Sequence, residues 1–457
     1  MTLADYSRAS AVDLASALRR GEVRSIDLVD AALERVDRID PLVNAVIVRD
    51  DDRARRDAQA ADAQIAAGTG GPLCGVPITV KESFDLAGHP TTWGVPDLAG
   101  HRAERDALIV RRLTDAGAVV IGKTNVPVDL NDWQSDNPIY GRTNNPYDLS
   151  RTPGGSSGGS AAALALGYSA LEVGSDIGGS VRVPAAFTGV FGHKSTWGIV
   201  PSSGHAPGGW EGVAPPLAVI GPLARSARDL ALALEIVAGP DDLSPFTGLT
   251  LPPSPHTRLS DYRVLVLTEH PSAPTDAVIQ RAVDETAERI AAAGAVVARS
   301  SDLVPDLPAL LEDYRLMLAA VGSRRTPEGT PSMPVRDWFE LLDRQQAVRQ
   351  QWARLFEDFD VVLTPTFGTV AFEHIDEPDY DLRRLKINGR DERYEPQLIW
   401  PSLATYANLP ATAVPVGVTA EGLPLSVQVI GAHRRDLTTI AFAEHIAREI
   451  PAPVLPH

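Results

Sequence analysis

Arg151 to Thr196 reads RTPGGSSGGSAAALALGYSALEVGSDIGGSVRVPAAFTGVFGHKST, and the fold is read outward from this stretch. It holds two glycine-serine clusters, Gly154 to Ser160 and Gly174 to Ser180. The Ala/Leu run between them, Ala161 to Leu166, predicts the start of a buried helix. Glycine at this density costs backbone entropy and adds no side-chain packing. Such a sequence suits a backbone that turns sharply or approaches a ligand closely.

The second cluster suggests chemistry. Ile177, Gly178, Gly179 and Ser180 can turn consecutive backbone N–H groups into one concavity, the build of an oxyanion hole or an anion nest. Ser180 stands at its end as a nucleophile, given a base nearby. Ser156 and Ser157 of the first cluster are proton carriers. A phosphate loop is the obvious competitor, but it would need a Gly-Lys-Ser/Thr ending, and neither cluster contains a lysine. Gly154 to Gly158 also nearly matches the Gly-x-Ser-x-Gly nucleophile elbow. That motif needs a strand before it, and Arg151-Thr152-Pro153 makes a poor strand end.

PGGSSGGSAA followed by GSDIGGSVRVPAAFTGVFGHKST resembles, nearly residue for residue, the signature of the amidase signature family of serine hydrolases. Upstream, Gly75-Val76-Pro77-Ile78-Thr79-Val80-Lys81-Glu82 is similar to the family's lysine motif, with Glu82 where the family often has Asp. The resemblance places the catalytic lysine on Lys81, the bridging serine on Ser156 and the nucleophile on Ser180, 75 and then 24 residues apart. It implies a cis Gly155–Ser156 peptide and supporting roles for Ser157, Asp176 and Arg182, the last in an ion pair. It further implies an α/β fold: a large mixed, mostly parallel twisted sheet covered on both faces by helices. The expected catalysis runs through a Ser180 acyl-enzyme without cofactor or metal. Family members are often dimers, so a homodimer is the implied assembly.

Composition agrees with an enzyme. The chain has 457 residues, 44% of them hydrophobic, enough for a large core. Its net charge of −17 disfavours nucleic acid or an anionic membrane as partner. Cys74 is the only cysteine, so no intrachain disulfide can form, and its apolar setting predicts burial. The N-terminal MTLADYSRAS lacks a basic-then-apolar signal, and no apolar run reaches the ~18 residues that span a bilayer. A cytoplasmic location is the default. One domain over 1–457 is expected: an N-terminal helical part (1–70), a catalytic core with the signature (71–238), and a C-terminal part (239–457) completing the same sheet, with surface insertions.

Along the chain, Ser10 and Ser25 open helices. Residues 51 to 68 form a surface helix. Gly75 to Val80 runs apolar like a buried strand and delivers Lys81 at its end. Burial would lower the lysine's pKa toward that of a free amine base. A surface pairing with Glu82 or Asp85 is equally open from these residues alone, and the serine clusters downstream favour the base. Asp106 reads as the cap of a helix closed by Gly117, and Ala118 to Gly122 as a strand, giving a βαβ rhythm.

Trp133, Gln134 and Tyr140 fall in a loop-like region and are candidates to line a substrate pocket. Trp93 and Trp197 add to the hint of an apolar or aromatic substrate group. A glycine-rich loop from Gly204 to Gly212 shapes the entrance. Residues 239 to 260 are a Pro-rich connection. Segments 322–334 and 376–395 look like irregular surface insertions that select the substrate. None of the ten histidines has metal-site spacing; His193 is read as a packing or hydrogen-bonding residue. The expected substrate is a small-molecule amide, ester or carbamate. The alternative is a glutaminase subunit of a tRNA-dependent amidotransferase, and a silent, binding-only relative is disfavoured by intact Lys81, Ser156 and Ser180.

Overall fold

The computed structural model describes residues 6–209, 212–244, 247–326, 329–450 and 453. Parts of four expected segments lie outside the described residues: residues 1–5, residues 210 and 211 of the entrance loop, 245 and 246 of the Pro-rich connection, and 327 and 328 of the first insertion.

Fifteen strands are described: β1 (Val46–Val48), β2 (Pro77–Lys81), β3 (Val119–Thr124), β4 (Asp136–Asn137), β5 (Gly141–Arg142), β6 (Leu171–Asp176), β7 (Phe191–Lys194), β8 (Val219–Ala224), β9 (Arg263–Val266), β10 (Val296–Ala298), β11 (Val361–Pro365), β12 (Arg384–Ile387), β13 (Arg390–Arg393), β14 (Ala411–Val418) and β15 (Pro424–Gly431). Eight form the main sheet, in the order β10-β9-β11-β15-β14-β7-β8-β6. A separate three-stranded sheet runs β1-β3-β2 and carries Lys81.

The main sheet is mixed, as expected, but it is not mostly parallel. Five of its seven pairings are antiparallel. Only β9 lies parallel to its neighbours β10 and β11. The βαβ rhythm that suggested parallel strands belongs to the small sheet, where β2 and β3 do run parallel around the helix Leu108–Asp115. In the main sheet β14 and β15 follow one another through a tight connection, and a short connection can only return antiparallel.

Helices cover both faces, and the strands show why. Successive side chains point to opposite faces. Val264, Val266, Val361, Leu363 and Val429 enter one apolar core with Leu230, Val283 and Phe442. Their neighbours Leu265, Val362 and Ile430 enter another with Phe187, Leu310, Trp352 and Trp400. Every residue of β6 and β11 is buried, which requires apolar cover on each side.

Local expectations fare unevenly. Ser10 caps its helix, its Oγ accepting from Asp13 N–H at 3.0 Å. The Ala-rich run forms a wholly buried helix, Gly158–Ala165. Asp106 does not cap the helix Leu108–Asp115; its carboxylate instead accepts from the Ala87 N–H at 2.7 Å. Segment 376–395 is less irregular than expected, because it holds the β12–β13 hairpin.

Candidate active site

Lys81 ends β2, and alternation separates it from Glu82. Glu82 turns away to accept from Thr92 N–H at 2.5 Å, Thr92 Oγ1 at 2.8 Å and Trp93 N–H at 2.9 Å. Lys81 is fully buried, and its Nζ donates to Ser156 Oγ at 2.7 Å and to Ser175 Oγ at 3.0 Å. The surface pairing with Glu82 or Asp85 is therefore excluded. Burial pulls the Lys81 pKa down to about 7, against the opposing charges of Asp176 and Glu172. Both partners are hydroxyls, which accept from an ammonium and donate to a neutral amine equally well.

Behind the lysine, Glu172 is buried beside Thr79, whose hydroxyl donates to it. Desolvation raises this carboxyl to about 8. Ser175 and Glu172 escaped the sequence reading. Ser175 lies inside the second cluster and had a visible signal, whereas Glu172 had none.

The two clusters meet through the backbone. Ser157 N–H donates to Ser180 O at 3.1 Å, and the Gly155–Ser156 peptide is cis. Asp176 organises the turn that follows β6: its carboxylate accepts from Gly179 N–H at 2.9 Å and Val181 N–H at 3.1 Å. Arg182 closes on the same carboxylate at 2.8 Å with both side chains buried. Burial pushes Asp176 up, and the Arg182 charge and hydrogen bonds more than reverse this, holding it at about 2.

Gly179 has φ +94°, and a Cβ there would lie 2.8 Å from Val183 Cγ2, so the turn requires glycine. Its N–H is occupied by Asp176, which removes Gly179 from the four expected oxyanion donors in this geometry. The N–H groups of Ile177, Gly178 and Ser180 make no hydrogen bond among the described residues.

The candidate substrate-lining residues are placed as follows. Trp133 is buried, and its indole N–H donates to Gly178 O at 2.9 Å. Gln134 uses both ends of its amide on Ile375, accepting at 2.8 Å and donating at 3.0 Å. Tyr140 is half-buried with its hydroxyl 3.5 Å from Glu82, and burial raises it to about 12. Gln134 also borders a cleft of about 500 Å³ with Asp132, Arg142, Tyr380 and Arg383. Its ionic groups are paired with one another: Arg383 with Asp132 at 2.7 Å, and Arg142 with Asp136 and Asp376.

Among the histidines, His193 bridges Thr412 at 2.9 Å and Asp436 at 3.1 Å, the hydrogen-bonding role read for it. Among the described residues no three His, Cys, Asp or Glu side chains gather in a way that could hold a metal, and no helix is long and apolar enough to cross a membrane.

An α/β chain that buries a lysine against hydroxyls, beside a glycine turn of unpaired N–H groups, has the make-up of a hydrolase. The family model described as Amidase matches residues 27–332 and 323–440. The indoleacetamide hydrolase of Bradyrhizobium diazoefficiens is 34% identical, over 98% of this chain and 87% of its own. A glutamyl-tRNA(Gln) amidotransferase chain of Roseiflexus castenholzii is 33% identical over 91% and 90%. The solved structure of 6-aminohexanoate cyclic dimer hydrolase with its substrate superposes with a TM-score of 0.82 at 26% identity, over 99% of this chain and all of that one. The chain belongs to the amidase family, whose members are amide-cleaving hydrolases.

Proposed function

We propose that this protein hydrolyses a carboxylic amide of a small molecule through a Ser180 acyl-enzyme. The observation that carries the reading is the fully buried Lys81 amine 2.7 Å from the Ser156 hydroxyl, with hydroxyls and no carboxylate on its nitrogen. A neutral Lys81 accepts the Ser156 proton while Ser156 takes the proton of Ser180. The Ser180 oxygen bonds to the carbonyl carbon, and the tetrahedral oxyanion is held by the unpaired N–H groups of the 177–180 turn. The proton returns through Ser156 to the departing nitrogen as the C–N bond breaks. Water then attacks the acyl carbon, giving a proton through Ser156 to Lys81, and that proton returns to the Ser180 oxygen as its bond to the acyl carbon breaks and the acid leaves.

Exposure supports this order: Lys81 and Ser156 are sealed at 0% and 1%, and Ser180 is the most accessible of the three at 6%. The same relay serves aryl esters and carbamates, whose leaving groups ask less of the acid step.

Ser180→Ala should lower kcat by at least ~10⁴-fold with the melting temperature unchanged. A fluorophosphonate should add one mass to the parent, at Ser180, and none to the variant. Retained turnover in Ser180→Ala would overturn the proposal. The glutaminase reading draws on the amidotransferase relatives alone; ammonia release from free glutamine, measured beside a panel of anilides and primary amides, separates the two.

A further inference from the structure

Resting on the Ser180 reading, we infer that Tyr314 is a positioning residue that sets the direction of the Gly178 N–H, one of the oxyanion donors, and that Trp133 is a second positioning residue that acts on it by pinning the adjoining Gly178–Gly179 peptide. A peptide unit is planar and trans, so the C=O of one residue and the N–H of the next point in opposite directions. Holding the carbonyl therefore aims the N–H.

Tyr314, on the helix Leu307–Gly322, donates its hydroxyl to Ile177 O at 2.8 Å. That bond fixes the plane carrying the Gly178 N–H, one of the unpaired donors. Trp133 donates to Gly178 O at 2.9 Å, and the opposite end of the same peptide, the Gly179 N–H, is held by Asp176 at 2.9 Å. The plane between Gly178 and Gly179 is thus pinned at both ends. Two successive carbonyls face protein donors, and the Gly178 N–H between them is left to face the other way.

Both anchors are themselves braced. Tyr314 is fully buried, and its hydroxyl lies 3.4 Å from where a Cβ on Gly178 would sit, so the turn is shaped around it. Trp133 packs its ring 4.8 Å from Phe367 and 4.9 Å from Tyr394. The preceding Asp132 is clamped by Tyr394 Oη at 2.6 Å and Arg383 at 2.7 Å. The 376–395 segment, expected to be a selectivity insertion, thereby reaches the nest through Asp132 and Trp133.

Neither anchor needs to touch the substrate, so their loss should fall on the transition state rather than on ground-state binding. Tyr314→Phe removes only the donor and keeps the ring; Trp133→Phe removes the donor together with part of a buried ring, so its melting temperature is measured beside its rate. Each should lower kcat by about 10- to 10²-fold, the size of effect a misplaced catalytic group produces, with KM changed less than about threefold. Each should also weaken a substrate-matched trifluoromethyl ketone, which forms an oxyanion on Ser180, by the same factor as kcat/KM. A purely packing role would lower the melting temperature and leave that proportionality absent.

Fluorophosphonate labelling of Ser180 in the variants separates the outcomes. Labelling of Ser180 with kcat and ketone affinity at parental values overturns the inference and leaves the serine mechanism standing. Failure of the parent itself to label overturns the reading beneath it.

Discussion

Lys81 and Lys194 occupy the ends of two strands, both are fully buried, and both are pulled by burial to about 7. Their partners differ. Lys81 donates to the hydroxyls of Ser156 and Ser175. Lys194 donates to the carbonyls of Leu409 at 2.8 Å and Ser195 at 3.1 Å. A carbonyl accepts only, so it can offer Lys194 no proton in exchange, whereas a hydroxyl can reverse its direction. On the proposed mechanism, equal burial yields a base in one region and a structural cross-link between β7 and the 409 turn in the other. The chemistry is in the partner, and the depth only sets the stage.

The largest test of that contrast is Lys81→Ala. It should lower kcat by about 10²–10⁴-fold, the range for a lost general base, with the fold intact by circular dichroism. An unaffected rate would erase the distinction between the two lysines.

A smaller effect is in the pH profile. The base must be neutral to work, so kcat/KM should fall about tenfold per pH unit as pH drops below about 7, and level off above it. Stability has the same sign for this group. Between about 7 and the ordinary lysine value of 10.5 the unfolded chain holds a proton that folded Lys81 does not, so its contribution improves as pH rises through that window and is least favourable below it. A profile flat from pH 5 to 9 would put the relay in doubt.

The smallest effect on rate is expected at the other lysine. Lys194→Met should leave kcat within about threefold of the parent while lowering unfolding stability by roughly 1–3 kcal/mol for each carbonyl left unpaired. Urea melts and steady-state rates on the same preparation measure both. A variant with parental stability and no turnover would make Lys194 part of the chemistry.

The sequence by itself determined the parts with local signatures. The Gly179 turn needs a positive φ, the Ala-rich run a buried helix and Ser10 a cap, and each is a demand that neighbouring residues state openly. That Lys81 meets Ser156, and that the two glycine-serine clusters adjoin, follows motifs that stand in order along the chain. What the tertiary structure alone decided was pairing across distance. The antiparallel majority of the main sheet depends on which strands meet, and Asp106 accepts from the Ala87 N–H, 19 residues away, instead of capping its own helix. Tyr314 lies 137 residues from Ile177, and Gln134 lies 241 from Ile375, so no periodicity links them. A side chain advertises its own conformational preference in the sequence; the partner that uses up its hydrogen bonds is fixed only when the chain has closed around both.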